Sequence, residues 1–200
     1  MSTEYFDGQA SGWDQASDRV RNVDNIAREM QRRIRFDASM EIMDFGSGTG
    51  LLLERIAPLV AKIIAVDTSP AMNEQLGQKR ATLDCELEIL DTDLVASDLD
   101  RTVDGIISSM TLHHIEDIPA LFRRFHGLLR AGGFIALADL DVEDGTFHDG
   151  DAGVFHQGFE RDAMLTNTSA AGFSRPEIVT ASVVRKPHRE FPIFLLTAVR

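Results

Sequence analysis

Two hundred residues at 22.1 kDa fit one ordinary domain, and 44% hydrophobic with 26% charged residues is the balance of a soluble globular chain, which excludes disordered, collagenous and fibrous readings. Acidic side chains outnumber basic ones by 32 to 20, and the resulting net charge of −12 repels phosphate backbones and anionic lipid, so neither nucleic acid nor a membrane surface is an expected partner. Cys85 is the single cysteine, the first eight residues show no secretory leader, and no apolar run reaches the ~18–20 residues of a membrane span, so a cytoplasmic protein without disulfides or thiolate metal clusters is expected.

Apolar residues at Val20, Val23, Ile26, Ala27, Met30 and Ile34 recur every three or four positions and predict a helix over 14–36. A short apolar strand, 40–45, runs into a glycine cluster, and a helix over 51–57 stops near Pro58. A β-branched strand at 63–66 precedes Ser69-Pro70, a cap and first-turn proline that open the next helix. Strands at 86–90 and 103–109, a helix over 117–129 and a strand at 134–138 continue the alternation. Strands that are apolar on both faces and alternate with helices indicate a parallel sheet covered on both sides. The pattern breaks at 141–158, a glycine- and carboxylate-rich stretch read as a loop or insertion. A helix over 160–171 is capped by Gly172. Strand-like runs at 177–184 and 191–199 are joined by a link too short for a crossover helix, so they pair as an antiparallel hairpin. The expected architecture is a Rossmann-like α/β three-layer sandwich. Its seven-stranded sheet is mostly parallel and ends in a C-terminal antiparallel hairpin. It forms one domain over 1–200, with 1–38 as a helical lid and 141–160 as an acidic insertion or substrate loop.

The chemistry concentrates at Asp44-Phe45-Gly46-Ser47-Gly48-Thr49-Gly50. A strand leading into glycines that open a helix lets backbone approach a ligand with no Cβ in the way. Asp67, ending the next strand, can accept hydrogen bonds from the vicinal hydroxyls of a ribose. This pairing suits an adenosine-type ligand, either a nicotinamide dinucleotide or S-adenosylmethionine. The GxGxG spacing differs from GxGxxG, Asp44 would repel a pyrophosphate but attract an amine, and the chain ends in a hairpin. Tyr5 is the only tyrosine, so the Tyr-x-x-x-Lys arrangement of short-chain dehydrogenases is absent. All four points favour the sulfonium cofactor over NAD.

These segments resemble class I S-adenosylmethionine-dependent methyltransferases. Asp44–Gly50, Val66-Asp67-Thr68-Ser69-Pro70-Ala71-Met72 and Leu90-Asp91-Thr92-Asp93-Leu94 are similar to the first three motifs. The run Val103–His114 is similar to the fourth-strand motif, and Leu128–Gly133 to the turn before the fifth strand. The resemblance covers about residues 40–140 and is to the small-molecule branch that includes quinone-biosynthesis enzymes. It implies S-adenosylmethionine as cofactor, S-adenosylhomocysteine as product, a small-molecule methyl acceptor, and a monomer or homodimer. By the same resemblance Asp44 receives the methionine amine, and Gly46, Ser47 and Gly48 form the loop along methionine and ribose. Asp67 binds the ribose, Thr68 and Met72 flank the adenine, Asp91 and Thr92 meet its amine, and Ser109 and Met110 face the sulfonium.

His113 and His114 fall at the ligand end of the fourth strand and are candidates for a general base, set against a role in supporting the loop. His114 is expected inside and His113 nearer the substrate. Tyr5 and Trp13 are candidate substrate contacts from an aromatic lid that also includes Phe6, their alternative being packing of the first helix. His148 and His156 are candidate substrate contacts from the insertion. A His/Asp metal site with Asp149 and Asp151 can be drawn, but no helical i, i+4 pair supports it and no metal is expected. Two rival functions are a non-catalytic S-adenosylmethionine-binding module and an enzyme using the cofactor for something other than methyl transfer.

Overall fold

The computed structural model describes residues 3–94, 96–97, 99–148 and 153–200. Seven strands, β1 (Glu41–Phe45), β2 (Lys62–Asp67), β3 (Glu86–Asp91), β4 (Val103–Ser109), β5 (Leu129–Leu140), β6 (Ser174–Lys186) and β7 (Arg189–Val199), form one sheet in the order β3-β2-β1-β4-β5-β7-β6. All pairs from β3 to β5 are parallel, and β7 runs antiparallel to both β5 and β6. The expected mixed sheet and terminal hairpin are therefore present.

Strand alternation builds the layers. Ile42, Ile63 and Ala65 point to a core shared with α2 (Ser17–Arg33), α3 (Leu51–Ile56) and Leu76 of α4 (Pro70–Lys79). Their neighbours Met43, Ile64 and Val66 point to the opposite core, filled by α5 (Ile118–Leu128) and by Met164 of α6 (Arg161–Ala170). Period-two alternation thus places apolar side chains on both faces, and only helices on both sides can bury them. Two helix starts follow the local chemistry. Ser69 Oγ accepts from Met72 N at 3.2 Å ahead of α4, and Asp117 Oδ1 accepts from Ala120 N at 2.8 Å ahead of α5, each followed by an early proline.

Boundaries differ from the sequence reading chiefly at three elements. The first helix does not begin at 14: α1 (Glu4–Gln9) and a 3-10 turn (Ala10–Gln15) precede α2. Asp14 is drawn out of helical continuity by Thr49 Oγ1 at 2.5 Å and Lys79 Nζ at 2.6 Å. Strand β5 extends back to Leu129 because Val103 pairs with Leu129 across a bulge. Strand β6 extends from 174 to 186, so the hairpin loop is only Pro187-His188, with Lys186 opposite Arg189. No helix among the described residues is long and apolar enough to cross a membrane.

Candidate active site

The sheet order reverses between β1 and β4, and the crevice outside the carboxyl ends of parallel strands at such a point is where α/β folds bind ligands. A cavity of about 630 Å³ lies there. Its floor is the β1–α3 loop. Gly46 N donates to Val66 O at 2.8 Å and Gly50 N to Ser47 O at 2.9 Å, curling the loop over β2. Gly46 has φ +68°, and a Cβ there would overlap the Thr111 side chain, so no other residue fits. Gly48 has φ +53° with open space where its Cβ would stand.

Two carboxylates meet under this loop and differ in their surroundings. Asp67 Oδ2 accepts from Gly48 N at 2.8 Å and Oδ1 from Ser69 N at 2.9 Å, so it fixes both the glycine loop and the start of α4. Burial raises its pKa against the pull of those amides. Asp44 is 1% exposed, and its Oδ2 has no hydrogen-bond partner among the described residues. Burial, and secondarily the negative charge of Asp67, pushes its pKa up to about 8. A buried carboxylate left without a donor is costly unless something cationic completes it. Ser47 Oγ and Ser109 Oγ are buried and likewise have no partner among the described residues.

The opposite wall is the segment after β4. Met110 adopts φ +60°, an uncommon left-handed conformation for a non-glycine residue, held by its N–H donating to Ala138 O at 2.9 Å. His113 is 1% exposed. Its Nδ1 lies 2.7 Å from Asp139 Oδ1, and its backbone N–H donates to Asp139 Oδ2 at 3.2 Å. A carboxylate only accepts, so Nδ1 carries the hydrogen, and Nε2 has no partner among the described residues. Burial alone would raise the Asp139 pKa, but His113 and the two backbone amides hold it below the usual carboxylate value. His114 is 5% exposed; burial, then the neighbouring His113, lowers its pKa to about 4. The two ring centroids lie 4.1 Å apart with the planes tilted by 47°, and His148 lies 4.9 Å from His113.

The N-terminal segment closes the top. Asp7 Oδ1 accepts from Ser69 Oγ at 2.6 Å, and Asp14 bridges Thr49 and Lys79. This places Tyr5, Phe6 and Trp13 over the cavity, with Phe6 edge-on to His114 at 5.1 Å and the Arg19 guanidinium 3.7 Å above the Trp13 ring.

Of the residues singled out in the sequence, Asp44, Gly46, Ser47, Gly48, Asp67, Thr68, Met72, Thr92, Ser109, Met110, His113, His114, Tyr5, Trp13 and His148 line this one cavity. Asp91 does not. It ends β3 in register with Asp67 and is exposed, while the following Thr92 and Asp93 are among the lining residues. His156 is also absent from the lining. Its Nε2 donates to Ile115 O at 2.9 Å, and the backbone N–H groups of Phe155 and His156 donate to His113 O, which ties the 153–159 segment to the His113 turn. His113 and His114 are both buried, at 1% and 5% exposed, and both line the cavity. Asp149 and Asp151 lie outside the described residues, and among the described residues no group of three potential metal ligands converges.

Sequence reasoning missed Asp139, Arg19 and Asn22. Asp139 carried a readable signal, an acid interrupting the apolar run that ends β5. Arg19 and Asn22 sit three residues apart on α2 and face the cavity only because of how that helix docks. Asn22 Oδ1 is buried there without a partner among the described residues.

A model of the methyltransferase domain family matches residues 16–177 of the chain. An uncharacterized methyltransferase of Schizosaccharomyces pombe is 26% identical over 181 residues, 82% of this chain and 61% of that protein. A ubiquinone biosynthesis O-methyltransferase of Xanthomonas campestris pv. campestris is 26% identical over 108 residues, 53% of this chain and 45% of that protein. The chain thus spans about half to three fifths of the length of these relatives. The DhpI–SAH complex shares the fold, with a TM-score of 0.76 at 21% identity over 99% of this chain and 94% of that one.

Proposed function

Because the chain belongs to the methyltransferase domain family, as a class I S-adenosylmethionine-dependent methyltransferase, we propose that it methylates a small organic acceptor held in the cavity beyond the glycine loop. The observation that carries the cofactor half of this reading is Asp44. Its buried, unpartnered Oδ2 suits the ammonium of the cofactor's methionine, since a cation is what would make the ionised carboxylate tolerable there.

The residues present fit the rest of the cofactor. Gly46 and Gly48 let backbone approach without a side chain, and Asp67 has lone pairs beyond the two amides it accepts from, enough for ribose hydroxyls. Thr68 and Met72 lie where they can flank the adenine. Its amine would lie toward Thr92 and Asp93, which line the cavity, at the end of the strand that Asp91 closes. Ser109 and Met110 border the sulfonium end. When bound, S-adenosylmethionine supplies an electrophilic methyl on a good leaving group, so the work left to the protein is alignment and exclusion of water. Tyr5, Phe6 and Trp13 exclude water from above, and His113, His114 and His148 form the acceptor side.

Thermal unfolding with S-adenosylhomocysteine, S-adenosylmethionine and NAD⁺ added separately tests this. A ligand at a hundred times its Kd stabilises by about 2.7 kcal/mol, several degrees for a chain of this size. The two adenosyl sulfur compounds are expected to raise Tm and NAD⁺ to leave it unchanged. A shift with NAD⁺ alone would overturn the assignment. Cofactor binding without methyl transfer to any small molecule would leave a binding module.

A further inference from the structure

We propose that the methyl acceptor is a small organic acid, whose carboxylate is held by Arg19 and whose neighbouring O–H or N–H donates to Asn22 Oδ1. This rests on the methyltransferase reading above. The two residues stand three apart on α2 and both line the cavity, a spacing that makes them neighbours on one face of the helix. Each is incomplete. Arg19 is half-buried, with Nη1 donating to Trp13 O at 2.6 Å and the guanidinium 3.7 Å above the Trp13 ring. It forms no ion pair with any described residue, although acidic side chains outnumber basic ones by 32 to 20. Asp14, whose charge it feels, is engaged by Lys79 and Thr49. Asn22 is 6% exposed, and its Oδ1 is buried with no partner among the described residues. A guanidinium fork matches the two oxygens of a carboxylate, and a carboxamide oxygen needs a donor. Together they suit an acid with a donor beside it.

The cofactor has a carboxylate too, on the same carbon as its ammonium. A cation serving that carboxylate has to stand near Asp44, and it would hold the Asp44 pKa down. Instead burial and Asp67 push Asp44 up to about 8, and nothing cationic among the described residues offsets them. Arg19 stands elsewhere, among Tyr5, Trp13 and Asp14. From Trp13 a row of rings leads to the acceptor side, Trp13 to Phe6 at 5.9 Å and Phe6 to His114 at 5.1 Å. The body of the acid would lie along this row, with its reacting atom toward Ser109 and Met110. One guanidinium offsets one negative charge, and Asp14 acts on the same spot, which favours a monoanionic carboxylate over a nearly dianionic phosphate. Lys186, which also lines the cavity, stands beside the Phe147 ring at the end of β6, and the variants below tell the two cations apart.

The probes are glycolate, acetate and acetamide: a carboxylate with a hydroxyl beside it, a carboxylate alone, and a molecule with neither. Each is titrated at constant ionic strength into protein saturated with S-adenosylhomocysteine, and binding is followed by saturation-transfer NMR. The wild type is expected to bind glycolate more tightly than acetate, and acetamide not measurably. Arg19→Gln should weaken both acids by about tenfold or more, and Asn22→Leu should abolish the preference for glycolate, each variant first shown folded by its thermal transition. No glycolate binding by the wild type, no preference over acetate, or binding that survives Arg19→Gln overturns the proposal. The cofactor reading then stands, because the Tm rise with S-adenosylhomocysteine reads it separately. A second check compares S-adenosylhomocysteine with 5′-methylthioadenosine, which lacks the amino-acid head. The ratio of their affinities is expected to be the same in Arg19→Gln as in the wild type. If S-adenosylhomocysteine alone weakens, Arg19 serves the cofactor's carboxylate and the proposal falls. If S-adenosylhomocysteine does not bind the wild type, the cofactor reading falls and this proposal with it.

Discussion

Position 44 holds a carboxylate that the empty fold tolerates mainly in its protonated form. Its pKa rises from 3.8 to about 8, so between those values the folded chain binds a proton that the unfolded chain has released, and stability falls as pH rises. His114 acts in the opposite sense: its pKa drops from 6.5 to about 4, so its contribution grows as pH rises through that window. Between about 4 and 6.5 the two offset each other; between 6.5 and 8 only Asp44 acts, and its cost is at most about 1.4 kcal/mol per pH unit. The empty protein is therefore expected to lose up to about 2 kcal/mol between pH 6.5 and 8. Saturation with S-adenosylhomocysteine, or Asp44→Asn, should flatten that slope, and calorimetry across the range reads it. Asp44→Asn should also weaken cofactor binding by at least tenfold, about 1.4 kcal/mol for one charge-assisted contact, measurable by titration calorimetry. Gly46→Ala should lose binding outright, because its methyl would need both a strained φ and the space of Thr111. Most of this region was readable in the sequence because glycines, a strand-end acid and a helix cap are near neighbours in the chain. Asp139 escaped because its meaning depends on His113, 26 residues away.

Among the elements, α5 ties the lower core together. Phe122 and Phe125 are both 0% exposed, and Phe125 meets Phe45 edge-on at 5.2 Å, directly beneath the glycine loop. Phe125→Ala should cost about 3–5 kcal/mol, seen as an earlier urea midpoint, and should loosen the loop as well. The N-terminal segment is held differently, by polar contacts at the surface. Asp7 is kept ionised at low pH chiefly by the Ser69 hydroxyl, so its tie persists above its lowered pKa and is lost as acid titrates it. A double variant, Asp7→Asn with Asp14→Asn, should speed release of S-adenosylhomocysteine several-fold and open Tyr5–Trp13 to proteolysis, with little change in Tm. Helix positions were legible where an apolar stripe or a cap marked them. The break between α1 and α2 was not, because the residues that stop the helix at 15 are side chains of α3's loop and α4.

The whole molecule carries a net charge of −12 on 200 residues. Its surface ion pairs are mostly exposed and individually worth little, whereas the excess of like charge is shared by the entire fold. Raising KCl from about 0.1 M to 1 M shortens the Debye length from ~10 Å to 3 Å and is expected to raise Tm. A fall would mean that the ion pairs outweigh the repulsion. The sheet order was legible because a parallel strand must be apolar on both faces, a pattern that few other environments demand. The ends of β6, 174–176 and 185–186, were not legible, since no residue in them is buried and they carry no apolar signal.

The ties of the N-terminal segment also have a kinetic consequence. Asp7 grips the start of α4 and Asp14 grips Thr49, so the cover is fastened to the two loops along which the adenosyl group would lie. Exchange of a molecule bound beneath those loops is then expected to depend on release of these fastenings. Substrates should then add in a compulsory sequence, nucleoside first and acceptor second, with the methylated product departing before the spent nucleoside. Steady-state inhibition would record this as S-adenosylhomocysteine competing with S-adenosylmethionine alone, and not with the acceptor.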